Sequence, residues 1–169
     1  MNILVTGGTG FVGKPLVESL LSRGDSVTVL TRSIEKAQTI FPEKTPQFLT
    51  ALSTLKDLNN FDAVINLAGE PIFDKKWTVQ QKEKLRHSRI DLTQQIAQLI
   101  NQSEHPPVFI SGSATGIYGN CGEDLITEDT NPSSQFTAQL CIDWENAAKQ
   151  ANTRVCLVRT GLVLSPKGG

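Results

Sequence analysis

The chain has 169 residues, 38% of them hydrophobic, and a formal net charge of −1. That length suits one domain with a sizeable core, and the balanced charge excludes a surface built for a nucleic acid. No run approaches the ~18 uninterrupted apolar residues of a membrane span, and the N-terminus enters the fold with no basic-then-apolar leader. Cys121, Cys141 and Cys156 are odd in number and widely spaced. They form neither a disulfide framework nor a metal-ligand pair, and a reducing, cytoplasmic setting fits them best.

In chain order, Asn2–Thr6 reads as a buried strand. Val12, Leu16 and Leu20, with Val17 and Leu21, then give the i, i+4 stripe of a helix that Gly24-Asp25 ends. Ser26–Thr31 is a second strand and Ile34–Phe41 a short helix stopped by Pro42. Gln47–Thr50 is a weak third strand, and Ala63–Leu67 a clear fourth. Thr78–Asn101 reads as one long amphipathic helix, charged at its start and apolar at Ile90, Ile96, Leu99 and Ile100. Pro106-Pro107 stop it before a fifth strand, Val108–Ser111. A polar loop over Gly116–Ser134 leads to a helix over Phe136–Ala151 and a sixth strand, Arg154–Arg159. Short apolar strands alternating with helices demand parallel pairing. The expected fold is therefore α/β, a doubly wound parallel sheet of six or more strands with helices on both faces. One domain spans 1–169, and the chain stops at Pro166-Lys167-Gly168-Gly169, in what reads as an opening loop.

The turn after the first strand, Thr6-Gly7-Gly8-Thr9-Gly10-Phe11-Val12-Gly13, carries the strongest chemical signal. Its glycines at 7, 10 and 13 sit between a strand pattern and a helix pattern, the context that makes such a spacing meaningful. Gly7 lets the chain turn tightly, Gly10 lets a pyrophosphate approach the backbone, and Gly13 lets helix and strand pack closely. The helix N-terminus at Phe11–Gly13 then offers amides and a positive dipole end to the phosphates. Beside it, at the carboxyl ends of the strands, should lie Leu67-Ala68-Gly69-Glu70 after strand four and Ser111–Thr115 after strand five. An acid about 20 residues past such a turn would bind a free ribose 2′-hydroxyl. Here strand two ends in Thr31-Arg32-Ser33, and Arg32 is suited instead to a 2′-phosphate. The expected cofactor is NADP(H).

On Thr6–Gly13, Asn66–Ile72, Lys76-Trp77, Ser88-Arg89, Ser111–Gly119, Phe136, Leu140-Cys141, Trp144-Glu145 and Arg159-Thr160-Gly161, the sequence resembles an extended or atypical short-chain dehydrogenase/reductase. More narrowly, it is similar to the sugar-nucleotide epimerase-like subgroup. The resemblance implies a Rossmann fold, NADP(H) binding and a substrate domain after the nucleotide-binding one. It also implies that this chain corresponds to the N-terminal half of such a protein. Its small-molecule substrate would be a sugar nucleotide or another carbonyl compound, and a homodimer is a candidate assembly. The family's catalytic Ser corresponds to Ser113. Its Tyr and Lys, four residues apart on the helix after the long loop, fall on Phe136 and Leu140, which carry neither hydroxyl nor charge. Tyr118, the only tyrosine, is the remaining acid/base candidate beside Ser113.

Each of these residues also has a plainer reading. Ser113 is either the family's serine or a hydroxyl bonded to the strand-end backbone. His87 and His105 read as solvated positions. Glu123, Asp124, Glu128 and Asp129 form a solvated acidic loop, and Trp77 and Trp144 are packing anchors. Lys76 and Arg89 are surface cations that could also meet an anionic substrate. Two functions fit the sequence: an NADP-dependent oxidoreductase or epimerase, and an NADPH-binding module without turnover.

Overall fold

The computed structural model describes residues 1–42 and 45–164, and the expectation placed on Pro166–Gly169 lies outside them. The elements run β1 (Asn2–Thr6), α1 (Gly13–Arg23), β2 (Ser26–Leu30), α2 (Ile34–Ile40), β3 (Gln47–Leu49) and β4 (Ala63–Asn66). They continue with α3 (Val79–His87), α4 (Ile90–Asn101), β5 (Val108–Ala114), α5 (Phe136–Ala148) and β6 (Val155–Thr160). The six strands form one sheet in the order β3-β2-β1-β4-β5-β6, and every pairing is parallel. Strand order reverses at β1, whose neighbours are β2 and β4. Ligands of doubly wound sheets lie outside the carboxyl ends of the strands at that point.

The period-two alternation of a strand explains the two cores. On β1, Ile3 and Val5 point to one face, where they meet Val17 and Leu20 of α1 and Phe41. Leu4 points to the other and packs with Val64, Phe109, and Ile96 and Ile100 of α4. The two layers of helices thus cover the two faces that the sequence pattern required.

The structure corrects one expected element. The single helix over Thr78–Asn101 is broken into α3 and α4 at Ser88-Arg89. Tertiary bonds at the break account for it. The Ser88 hydroxyl donates to the Leu85 carbonyl and accepts from the Glu70 amide, while the Arg89 guanidinium donates to the Glu70 and Leu85 carbonyls. These bonds draw the junction toward the loop after β4, which apolar periodicity cannot register. Elsewhere only the ends shift: β5 runs on to Ala114, and α5 stops at Ala148.

Candidate functional site

The glycine turn is built as the spacing requires. Gly7 has φ +68°, a left-handed conformation, and a Cβ there would lie 2.6 Å from the Leu67 carbonyl carbon. A Cβ on Gly13 would collide with the Gly7 carbonyl oxygen. The turn closes through the Gly10 amide, which donates to the Gly7 carbonyl at 2.9 Å. The first turn of α1 therefore lies directly against the end of β1, with Phe11 and Val12 exposed beside it.

A cleft of about 820 Å³ opens over these strand ends. Gly7, Thr9 and Gly10 line one side, Leu67, Ala68, Gly69 and Glu70 another, and Arg32, Ser33 and Lys36 its outer end. Arg32, which the sequence assigns to a phosphate, is joined by Lys36, in the first turn of α2, a second cation that sequence reading passed over. Among its lining residues the acids are Glu70 and Asp91, neither of them on β2. Glu70 pairs with Lys75 at 3.0 Å, and that hydrogen bond holds its carboxyl below the ordinary glutamate range. His87 also lines the cleft, its ring 2.8 Å from Asp91.

A buried polar chain holds the cleft floor. The Thr6 hydroxyl donates to Asn66 Oδ1 at 2.6 Å and accepts from the Ala68 amide at 3.2 Å. Asn66 Nδ2 donates to the Thr93 hydroxyl at 2.7 Å, which also accepts from Trp144 Nε1 at 3.0 Å. Thr6, Asn66 and Thr93 are fully buried, so each unmade bond would carry a desolvation cost. β1, β4, α4 and α5 are locked together at the site.

Not every expected residue reaches the cleft. Ser111 is fully buried, and its hydroxyl turns to the Gly112 carbonyl at 3.4 Å. Gly13 acts through packing. Ser113 and Tyr118 form a second cluster at the end of β5, joined through two residues quoted only for the family resemblance. The Ser113 hydroxyl donates to Glu145 Oε1 at 2.7 Å. Arg159 grips Glu145 with both arms, Nε to Oε1 at 2.8 Å and Nη2 to Oε2 at 2.9 Å. Its Nη1 donates to the Tyr118 hydroxyl at 2.7 Å and to the Glu128 carbonyl at 2.8 Å. Ser113 thus bonds a carboxylate, not the strand-end backbone. Burial alone would raise the Glu145 pKa, but the Arg159 and Ser113 donors outweigh it and the net shift is downward. The same ion pair pushes the Arg159 pKa up.

On α5, Phe136 is half-buried, 5.7 Å from the Trp77 ring and under the Lys82 ammonium, and Leu140 is buried. Neither supplies an acid or base. Cys141 packs with Ile117 and Tyr118, and burial raises its thiol pKa, keeping it protonated. Trp144 is the packing anchor expected: its ring faces Gly112, where a Cβ would come within 3.0 Å. Arg89 departs from a surface role, because it is partly buried, its guanidinium carbon 5.4 Å from the Trp144 ring, and desolvation lowers its pKa. Among the described residues no group of three or more His, Cys, Asp or Glu could hold a metal ion, and no helix is long and apolar enough to cross a membrane.

A doubly wound parallel sheet with a glycine turn under the cleft at its switch point defines a dinucleotide-binding domain. The chain belongs to the NAD dependent epimerase/dehydratase family, whose model matches residues 3–169. It is 38% identical to the Arabidopsis thaliana epimerase family protein SDR39U1 homolog, chloroplastic, over all of this chain and 51% of that protein. The chain spans about half the length of the curated relatives it matches. Among solved structures, human epimerase family protein SDR39U1 with NADPH superposes at a TM-score of 0.85 and 30% identity, over 100% of this chain and 56% of that one. A Corynebacterium glutamicum nucleoside-diphosphate sugar epimerase gives 0.81 and 32%, over 100% and 35%.

Proposed function

We propose that this chain is the NADP(H)-binding part of a short-chain dehydrogenase/reductase acting on a nucleoside-diphosphate sugar or another carbonyl compound. The observation that carries the reading is the outer end of the cleft: Arg32, Ser33 and Lys36 line it, no acid stands between β2 and α2, and Glu35 of α2 is not among the lining residues. A 2′-phosphate meets two cations there, whereas a free 2′-hydroxyl finds no acceptor carboxylate. NADPH in the human relative supports the same choice. The residues fit the cofactor because Gly10 lines the cleft without a side chain where a pyrophosphate would approach, while Gly7 and Gly13, where a Cβ would meet backbone, hold the turn against the end of β4 and the start of α1.

When bound, the nicotinamide supplies hydride transfer, and the protein's share is to hold and orient. Gly7, Thr9, Gly10 and the α1 N-terminus at Phe11–Gly13 hold the phosphates. Leu67–Glu70 line the middle of the cleft, and Ser113 and Tyr118 meet the substrate. Fluorescence titration with NADPH and NADH tests the cofactor assignment; equal affinities for the two would refute it.

One observation favours a second reading, an NADPH-binding module without turnover. Phe136 and Leu140 occupy the helix positions of the family's acid/base pair, and both are packed. Nicotinamide absorbance with a carbonyl panel separates the two. Three free cysteines support a reducing compartment, the cytoplasm. A homodimer belongs to the same reading, and sedimentation tests it.

A further inference from the structure

The charge of Glu70 runs against the rest of the cleft. Arg32 and Lys36 at the outer end and the glycine turn at the start of α1 suit anions, yet Glu70 brings a carboxylate into the middle of the lining. That side chain is 24% exposed and bonded at 3.0 Å to Lys75, whose own side chain is 59% exposed. Lys75 stands outside the lining, with its ammonium held on a residue within it. The backbone of their loop is tied down by Ser88 and Arg89 at Glu70 and by Trp77 Nε1 at the Ile72 carbonyl, so a change of partners falls to the side chains. A second donor stands beside Glu70. Gln81 of α3 is 6% exposed, and its Nε2 has no hydrogen-bond partner among the described residues. A buried N–H left unmade carries the full desolvation cost of the group. The Lys75 bond is the largest influence lowering the Glu70 pKa, but the Gln81 amide acts in the same direction, which places it near the carboxylate without a formed bond.

Resting on the functional reading above, we infer that Lys75 is a diphosphate-binding residue held in reserve: when a diphosphate enters the cleft, the Lys75 ammonium leaves Glu70 for it, and the Glu70 carboxylate turns onto Gln81 Nε2. The exchange leaves no group worse satisfied. The carboxylate gives up an exposed ammonium for a buried amide, the amide gains the acceptor it lacks, and the anion meets a cation where a carboxylate stood. Lys75 touches the ligand, and Glu70 and Gln81 are positioning residues. The diphosphate is that of the dinucleotide or that of a nucleoside-diphosphate sugar.

Calorimetric titration with NADPH and NADH, and with UDP-glucose on the NADPH-loaded protein, separates the sources. Lys75→Met should weaken the ligand it serves about tenfold, the worth of one charge-assisted hydrogen bond at an exposed site. An equal loss for NADPH and NADH assigns the dinucleotide's diphosphate, and a loss for UDP-glucose assigns the sugar nucleotide's. A loss for NADPH without one for NADH, no loss for any of the three, or the same loss in Lys76→Met, the exposed neighbouring cation, overturns the inference. Glu70→Gln should tighten the same ligand about threefold by freeing Lys75 and removing the opposing charge. Gln81→Met should raise the melting temperature, because it removes an unpaired buried donor, and yet weaken the ligand about threefold. That weakening should vanish in the Glu70→Gln background; unchanged affinity in Gln81→Met would reduce Gln81 to packing and defeat the exchange. Should the unmodified protein bind neither dinucleotide, the functional reading fails, and inorganic pyrophosphate decides the site by itself. Pyrophosphate should then protect Lys75 from reductive methylation, and an unprotected Lys75 would sink the inference.

Discussion

The glycine turn and the Ser113–Tyr118 cluster lie at the ends of neighbouring parts of one sheet, yet they are made differently. The turn works through backbone: Gly7 at positive φ, Gly13 against the Gly7 carbonyl, amides at the start of α1. Its parts lie within seven consecutive residues. The cluster works through side chains drawn from positions 113, 118, 145 and 159, on β5, the turn after it, α5 and β6. A backbone site tolerates almost no added atom, whereas a side-chain site tolerates bulk but not a change in who donates to whom.

The largest expected effect breaks the backbone side. Gly13→Ala puts a Cβ into the Gly7 carbonyl, and overpacking of backbone on backbone should cost about 3 kcal/mol or more. Thermal melting should fall, and NADPH titration should show affinity reduced at least about a hundredfold. Wild-type melting and affinity in this variant would mean that the turn relaxes freely.

Next comes the side-chain cluster. Glu145→Gln removes the charge from a bidentate pair whose carboxylate is almost wholly buried, which should cost about 2–3 kcal/mol in urea unfolding. The same group gives a pH signature. Its folded pKa lies below its unfolded value, so its stabilisation is complete above the ordinary glutamate range and is lost as pH falls through the folded value. Wild type should lose stability toward acid faster than Glu145→Gln, and parallel profiles would contradict the assignment.

Arg32→Asp sharpens the cofactor half. A charge-assisted contact to a 2′-phosphate is worth ~1.5–3 kcal/mol. The ratio of NADPH to NADH affinity should therefore drop roughly ten- to hundredfold, while melting stays within about 0.5 kcal/mol because Arg32 is exposed. Phe136→Ala is the smallest. The ring is half-buried against Trp77, so the expected loss is about 1–2 kcal/mol, below the ~3–5 of a fully buried aromatic. NADPH affinity should hold, and a fall in affinity without a fall in stability would place Phe136 in the site.

The same contrast explains what could be read from sequence. The strands of the sheet, the turn, Arg32 and the strand-end segment Leu67–Glu70 were legible because each signal is local: apolar runs, glycine spacing, a missing acid. The break at Ser88-Arg89 was not, because it arises from bonds to Glu70, 18 and 19 residues away in sequence. Nor was Ser111, where strand alternation turns the hydroxyl inward to Gly112. Ser113 and Tyr118 could be named as residue types, but their common partner Arg159 lies 41 residues beyond Tyr118. One clue was present: Glu145 falls at helical spacing with Ala138, Cys141 and Ala148 on the apolar face of α5, and Arg159 ends an apolar strand, so each is too polar for its position unless they meet.

The position of β1 at the reversal of strand order has a consequence in time. Its pairing with β2 brings together positions such as Leu4 and Thr28, early in synthesis, but its pairing with β4 waits for Val64. On a ribosome adding about 5–20 residues per second, the second edge of β1 stays open for seconds while apolar Ile3, Leu4 and Val5 are already made. Closing a loop of that length is also entropically slow for a parallel pair. The strand that ends up most protected in the finished sheet is therefore the one most in need of protection, by a chaperone or by rapid packing of α1, while the chain is being born.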